Sequence, residues 1–74
     1  MNAKQFVDMM KEILGLETEL SMETRFRELE EWDSLAYLST IAMIDDEYDI
    51  VINANEFKEL ETIGDIIQTI SKKQ

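Results

Sequence analysis

The tripeptide Asp33-Ser34-Leu35 is the segment of this sequence best suited to chemistry, and it lies between Trp32 and the apolar run 36–44. A serine acts as a nucleophile only beside an activating base and a site for the developing oxyanion. The sequence has no histidine, and no lysine lies near Ser34, so we do not expect a hydrolase. Asp33 is a good helix N-cap, which would leave Ser34 in a first turn whose unpaired N–H groups and positive dipole favour a phosphate. The tripeptide therefore predicts an attachment point rather than a catalytic centre.

Size and composition limit what else the protein can do. The 74 residues have room for one domain, predicted over 1–74, and a domain of this size buries only roughly 60% of its unfolded surface. The absence of cysteine and histidine removes disulfides, thiolate metal sites and the commonest general base. We therefore expect neither an enzyme nor a metal site. Residues 1–14 lack the apolar core of a signal peptide and no run reaches membrane-spanning length, which favours a cytoplasmic protein.

The charge of the protein is strongly negative and unevenly distributed. The net charge is −10, and residues 28–65 alone carry −11, from twelve acidic residues and one lysine. A nucleic acid or an anionic membrane would be repelled by such a surface, so proteins with basic surfaces are the expected partners. Acidic runs are often only solvated faces, but here the acidity begins beside Ser34.

Hydrophobic periodicity and capping residues predict an all-α protein, a four-helix bundle with three longer helices and one short helix. Helix one is predicted over residues 3–14, with Asn2 as its cap, and helix two over 34–48. The long connection over 15–33 is expected to be pinned by apolar side chains, with a helical part between 21 and 31. Residues 49–53 are predicted to form a connecting loop with buried isoleucines.

The short helix and the last helix follow this loop. Asn55 can start the short helix, and Thr62 can cap a helix that carries an isoleucine stripe. On helix two the apolar face is predicted to run through Leu35, Leu38, Ile41, Ile44 and Tyr48. The predicted core contains Phe6, Ile13, Leu38, Ile41, Ile44, Ile63 and Ile67. Trp32 is expected to pack the long connection.

With these features the sequence resembles the acyl carrier protein family, also called phosphopantetheine-attachment domains. The family has an Asp-Ser-Leu motif at the start of helix two, matched by Asp33-Ser34-Leu35. Its helix two ends in an acidic cluster followed by an aromatic residue, matched by Asp45-Asp46-Glu47-Tyr48. The third and fourth helices also match without a gap, so the resemblance covers nearly the whole chain.

The resemblance implies a function without catalytic groups. Ser34 would receive 4′-phosphopantetheine from coenzyme A and carry acyl or aminoacyl intermediates as thioesters. The implied partners are a phosphopantetheinyl transferase, an acyl- or aminoacyl-ligase and other acyl-processing enzymes with basic docking surfaces. They would contact Asp33, Leu35, Asp45, Asp46 and Glu47 on a monomeric carrier.

Two positions depart from the carriers of fatty acid synthesis. Those carriers usually have acidic residues where this sequence has Ala36 and Ser39. The departure favours a specialised free-standing carrier with a dedicated ligase or a small biosynthetic pathway. The cargo and the pathway stay open at this point.

The same sequence allows other interpretations. The spacing of Asp45, Glu47 and Asp49 resembles the start of a calcium loop, but Ile50 stands where that loop needs glycine. The five methionines could line an adaptable binding groove, although core packing is the commoner use of methionine. The alternative function is an unmodified acidic helical interaction module, in which Ser34 serves only to cap a helix.

Overall fold

Four α-helices make up the computed structural model, which describes residues 2–74. A single 3-10 turn interrupts the long connection between the first two helices, and the described residues form no strand. The all-α prediction, with three longer helices and one short one, is confirmed. The helices are α1 Ala3–Leu14, α2 Ser34–Tyr48, α3 Ala54–Phe57 and α4 Ile63–Lys73. None of them has the length and apolar character needed to cross a membrane.

The bounds of α1 follow from local capping. The Gln5 N–H donates to Asn2 Oδ1 over 3.2 Å, which satisfies one free donor of the first turn. At the other end Gly15 has φ of 67°, a left-handed conformation that glycine adopts without steric penalty. The bounds predicted for this helix, 3–14, are therefore confirmed.

The start of α4 is a reciprocal cap. The Asp65 N–H donates to Thr62 Oγ1, and Asp65 Oδ2 accepts from the backbone N–H of Glu61 at 3.0 Å and of Thr62 at 3.1 Å. These backbone hydrogen bonds, that of Glu61 first, hold the pKa of the Asp65 carboxyl below its usual value. Because folding lowers the pKa of Asp65, its ionised carboxylate stabilises the fold at a pH above the unfolded pKa of about 3.9. This contribution to the free energy of unfolding is lost as the pH falls through the folded pKa.

The long connection is extended along the bundle rather than helical. Its only helical part is the turn Phe26–Glu28, much shorter than the helix that periodicity allowed over 21–31. The Gly64 N–H donates to the Met22 carbonyl over 2.8 Å, and a Cβ on Gly64 would lie 3.0 Å from that oxygen. Hydrogen bonds to α4 therefore take the place of helical ones, while the buried side chains of Leu20 and Phe26 pin the segment as expected.

The second connection agrees with the prediction except at its end. Ile50 and Ile52 are buried, and Val51 between them is exposed. The short helix begins at Ala54, before the predicted start at Asn55, because Asn53 is its cap: Asn53 Oδ1 accepts from the Glu56 N–H over 2.8 Å.

The predicted apolar face of α2 is wrong in part. The face that enters the core runs through Ala36, Thr40 and Ile44, whereas Leu38 is 62% exposed. Leu38 lies about 160° from Thr40 around the helix axis. Thr40 can be buried because its hydroxyl donates to the Ala36 carbonyl over 2.8 Å. Because apolar side chains lie around most of α2, hydrophobic periodicity alone predicted the wrong buried face.

The core itself is formed by side chains from every helix. Of the predicted members, Phe6, Ile44, Ile63 and Ile67 are buried, Ile13 and Ile41 are half-buried, and Leu38 lies outside. The largest side chains that are fully buried are Phe6, Met10, Phe26, Ile44, Ile52, Phe57, Ile63, Ile66 and Ile70.

The two faces of α2 give a matched pair of truncations. We expect Ile44→Ala to lower the free energy of unfolding by about 2–5 kcal/mol, because it leaves a cavity in the core. Leu38→Ala, on the exposed face of the same helix, should change it by no more than about 0.5 kcal/mol. Urea denaturation followed by circular dichroism measures both. Similar losses in the two variants would contradict the assignment of the buried face.

The C-terminus of α2 carries charge of the unfavourable sign. Asp49 is its C-cap with φ of 58°, the last turn has no basic residue, and Asp45, Asp46 and Glu47 precede it. Negative side chains destabilise the negative end of a helix dipole.

We therefore expect Asp49→Asn to stabilise the fold by about 0.3–1 kcal/mol at low salt, since asparagine also tolerates the left-handed conformation. Added sodium chloride should reduce this gain. The matched control is Asp65→Asn, which removes the same charge from the favourable end of α4 and should destabilise. Urea denaturation at two salt concentrations tests the pair, and a loss of stability in Asp49→Asn would be the contrary result.

Candidate functional site

Ser34 is the first residue of α2 and is exposed. The cap of this helix is Asp33, whose Oδ1 accepts from the Ala36 N–H over 2.8 Å. Within residues 2–74 the Ser34 hydroxyl makes no hydrogen bond to another side chain or to the backbone. The helix start is thus complete without that hydroxyl, which is accessible for chemistry.

The surroundings of Ser34 favour an anion. The first N–H groups of a helix have no partner within it, and the positive end of the dipole lies at the same place. One of these N–H groups, that of Ala36, is already bound by the Asp33 carboxylate. Leu35 is 71% exposed and offers an apolar contact beside the hydroxyl.

An aromatic cluster (Phe26, Trp32, Tyr37 and Phe57) holds the chain on both sides of Ser34. Trp32 stacks on Phe57, with ring centroids 6.0 Å apart and planes 7° apart. Tyr37, one turn into α2, meets the same ring edge-on at 5.1 Å. Phe57 therefore contacts the residues before and after the serine and fixes the position of the first turn. Trp32 packs the connection, as expected.

Arg27 supports this cluster, although no sequence pattern singled it out. Its Nη2 donates to the Phe57 carbonyl over 2.7 Å and its Nε to the Leu60 carbonyl over 3.0 Å. The guanidinium carbon lies 5.1 Å from the centroid of the Phe26 ring and 5.5 Å from that of Phe57. Arg27 thereby ties the carbonyls of Phe57 and Leu60, at and just after the end of α3, to the connection that leads to Ser34. Its partners are 30 or more residues away in sequence, so no local pattern indicates them.

The predicted acidic residues do not form one patch with Ser34. Asp45, Asp46 and Glu47 are exposed near the other end of α2, about 17–20 Å along the axis from Ser34. Around the axis Asp45 is about 20° from Ser34, Asp46 about 120° and Glu47 about 140°. Asp45 thus shares the side of Ser34, while Glu47 lies on another flank.

The structure shows where Ala36 and Ser39 lie, the two positions at which fatty-acid carriers usually have acidic residues. Ala36 is 5% exposed and packs into the core, so an acidic residue here would be buried. Ser39 is half-buried at the edge of the exposed face. The missing acidic residue at 36 is therefore a packing feature of this fold as well as a surface difference.

Tyr48 ends α2 and packs towards α1, with its ring centroid 6.4 Å from that of Phe6. Its hydroxyl is buried and has no hydrogen-bond partner within residues 2–74. Burial, and then the charge of Glu47, raises the pKa of Tyr48 above its usual value. The tyrosine thus remains neutral at physiological pH and closes one end of the core.

The chain is similar in sequence to known proteins. Residues 4–70 match the family described as phosphopantetheine attachment site. An acyl carrier protein of Borrelia garinii subsp. bavariensis is 33% identical over 58 residues, which are 78% of this chain and 72% of the relative.

Two solved structures share the fold. A protein described as an acyl carrier protein from Mycobacterium tuberculosis superposes with a TM-score of 0.85 at 19% identity, over 97% of each chain. The holo acyl carrier protein of Geobacter metallireducens, solved by NMR, gives a TM-score of 0.81 at 22% identity, over 96% of this chain and 83% of that one.

Proposed function

This chain belongs to the phosphopantetheine-attachment family of acyl carrier proteins, and we propose that Ser34 is the residue to which its 4′-phosphopantetheine is attached. Members of the family are carriers and not enzymes. The observation that carries the proposal is the exposed hydroxyl of Ser34 at a helix start that Asp33 already caps. An attached phosphate there would lie at the positive end of α2 and displace no existing hydrogen bond.

The prosthetic group supplies a thiol on a flexible arm, which can hold acyl or aminoacyl groups as thioesters. The protein contributes the position from which this arm extends. The aromatic cluster and Arg27 fix the first turn of α2, so the arm starts from a defined position. The small core is filled by its own side chains, which supports chemistry performed on the cargo by partner enzymes rather than by the carrier.

Partner recognition is proposed for the exposed face of α2. Leu35 and Leu38 provide apolar contacts near Ser34, and Asp33 and Asp45 provide charge on the same side. A phosphopantetheinyl transferase and an acyl- or aminoacyl-ligase with basic surfaces fit this face. Asp46 and Glu47 extend the negative potential to the flanks of the helix. Ala36 and Ser39 leave the first two turns without the acidic residues of fatty-acid carriers, which supports a specialised pathway with dedicated partners.

The attachment site can be tested by intact mass. Wild-type protein incubated with coenzyme A and a broad-specificity phosphopantetheinyl transferase should gain the mass of one phosphopantetheine group. Ser34→Ala should gain none and should keep its melting temperature, because the serine is exposed and Asp33 still caps the helix. Ser39→Ala is the matched control on the same helix and should be modified like the wild type. Modification of Ser34→Ala would place the site elsewhere, and an unmodified wild type would favour the unmodified interaction module.

The recognition face can be tested by charge reversal. We expect Asp45→Lys to slow modification several-fold at low salt, because steering by charge raises association rates. Glu47→Lys makes the same charge change on the flank away from Ser34 and should slow it less. The difference in modification rate between the variants and the wild type should become small above about 0.1 M salt, where the Debye length is roughly 10 Å. Initial rates across a salt series measure it. Equal rates for wild type and Asp45→Lys at low salt would remove Asp45 from the recognition surface.

A further inference from the structure

The aromatic cluster lies between Ser34 and the core on one side of α2. Tyr37 is about 60° from Ser34 around the helix axis, midway to Thr40, which faces the core. Trp32 lies two residues before Ser34, and Phe57, which contacts the rings of both Trp32 and Tyr37, is only 1% exposed. A group attached to the Ser34 hydroxyl therefore meets this cluster if it turns towards the core on this side.

The cluster is closely packed around Phe57. The Phe26 ring lies 4.7 Å from that of Trp32 and 5.6 Å from that of Phe57, between centroids, which are distances of direct aromatic contact. Phe57 thus touches the three other rings of the cluster. Arg27 also binds the Phe57 carbonyl and lies over its ring. Because a displaced Phe57 ring would lose all these contacts together, packing closes this way into the bundle.

On the other side of α2 an open groove separates this helix from α1. Where the two helices meet, the Thr40 hydroxyl approaches Met10 Sδ at 3.6 Å, and both side chains are fully buried. Contact between the helices thus closes the interior on this side as well. Four of the residues that line the groove are acidic: Glu12, Asp45, Asp46 and Asp49. A group that turns this way from Ser34 remains at the surface, among charged side chains.

We propose that the acyl group carried on Ser34 stays outside the bundle and that Phe57 is the residue that keeps it out. This inference rests on the proposed attachment at Ser34. The arm can then present its thioester to a partner without first drawing it out of a protein interior. Since the aromatic cluster denies a long alkyl chain burial in the bundle, the cargo that suits this carrier is short or polar.

The length of the acyl chain tests the proposal on the wild-type protein. Acetyl- and octanoyl-coenzyme A, with a broad-specificity phosphopantetheinyl transferase, load Ser34 with a short or a long thioester. Hydroxylamine should cleave the two thioesters at rates within about twofold of each other, because neither is withdrawn into the protein. Trp32 is the only tryptophan of the sequence, so its fluorescence reports on the aromatic cluster and should be the same in both loaded forms.

Truncation of Phe57 should open the way into the bundle. In Phe57→Ala the octanoyl thioester should be cleaved roughly fivefold more slowly than the acetyl thioester, since it spends most of its time in the new cavity. The octanoyl form should also melt several degrees above the acetyl form, because an apolar chain fills an apolar cavity. Phe57→Leu should shift both readouts in the same direction by less, and it serves as the second variant should Phe57→Ala fail to fold.

Phe6→Ala is the matched control. It removes the same fully buried side chain, but near Tyr48, which lies about 21 Å along the axis of α2 from Ser34. Its octanoyl and acetyl forms should melt together and react alike with hydroxylamine. Protection of the octanoyl thioester in Phe6→Ala as strong as in Phe57→Ala would show a general loosening of the bundle and remove the role of Phe57.

The wild-type result separates this proposal from that for Ser34. Octanoyl cleavage several-fold slower than acetyl cleavage would overturn the exclusion of the cargo while leaving the attachment site intact. A simultaneous change in Trp32 fluorescence would then place the chain at the aromatic cluster, and unchanged fluorescence would place it in the groove beside α1. If neither acyl-coenzyme A loads Ser34, the attachment itself fails and this proposal fails with it.

Discussion

The contact of Trp32 and Tyr37 with the ring of Phe57 is the interaction on which the candidate site depends. Residues 15–33 have only one helical turn, so they cannot hold the start of α2 in place by their own backbone. Phe57 contacts the chain on both sides of Ser34, and Arg27 holds Phe57 in turn through a hydrogen bond to its carbonyl, a second one to the Leu60 carbonyl and a cation–π contact. A four-residue helix, too short to be stable alone, thereby positions a serine more than twenty residues earlier in the chain.

Helix α2 has to satisfy two demands at once. Its inner face through Ala36, Thr40 and Ile44 closes the core, which is small in any domain of this length. Its outer face keeps Leu35 and Leu38 in water, where they add nothing to folding. Single exposed apolar side chains are common on protein surfaces, so it is the position of these two leucines in the first turns of α2, close to Ser34, that supports the proposed partner contact.

The parts of the fold that the sequence predicted are those set by neighbouring residues. Both ends of α1 and the starts of α2 and α4 depend on Asn2, Gly15, Asp33 and Thr62, each of which acts within four positions of itself. The start of α3 was misplaced because Asn53 and Asn55 are both good caps. The face of α2 was partly wrong because a satisfied threonine replaced an apolar residue in the core. Arg27 could not be found, since only the folded chain brings it to Phe57 and Leu60.

The acidic residue that stabilises this fold and the acidic residues proposed for partner recognition lie at opposite kinds of helix end. Asp65 shows how an acidic residue stabilises this fold, at the start of a helix where backbone N–H groups bind it. The acidic residues at the end of α2 lie where the dipole opposes them, and small domains have only about 5–15 kcal/mol of stability to lose. A sequence shaped by folding alone would exchange these positions for neutral or basic residues. The proposed binding of basic partners by Asp45, Asp46 and Glu47 would account for acidic residues being kept at a helix end that they destabilise.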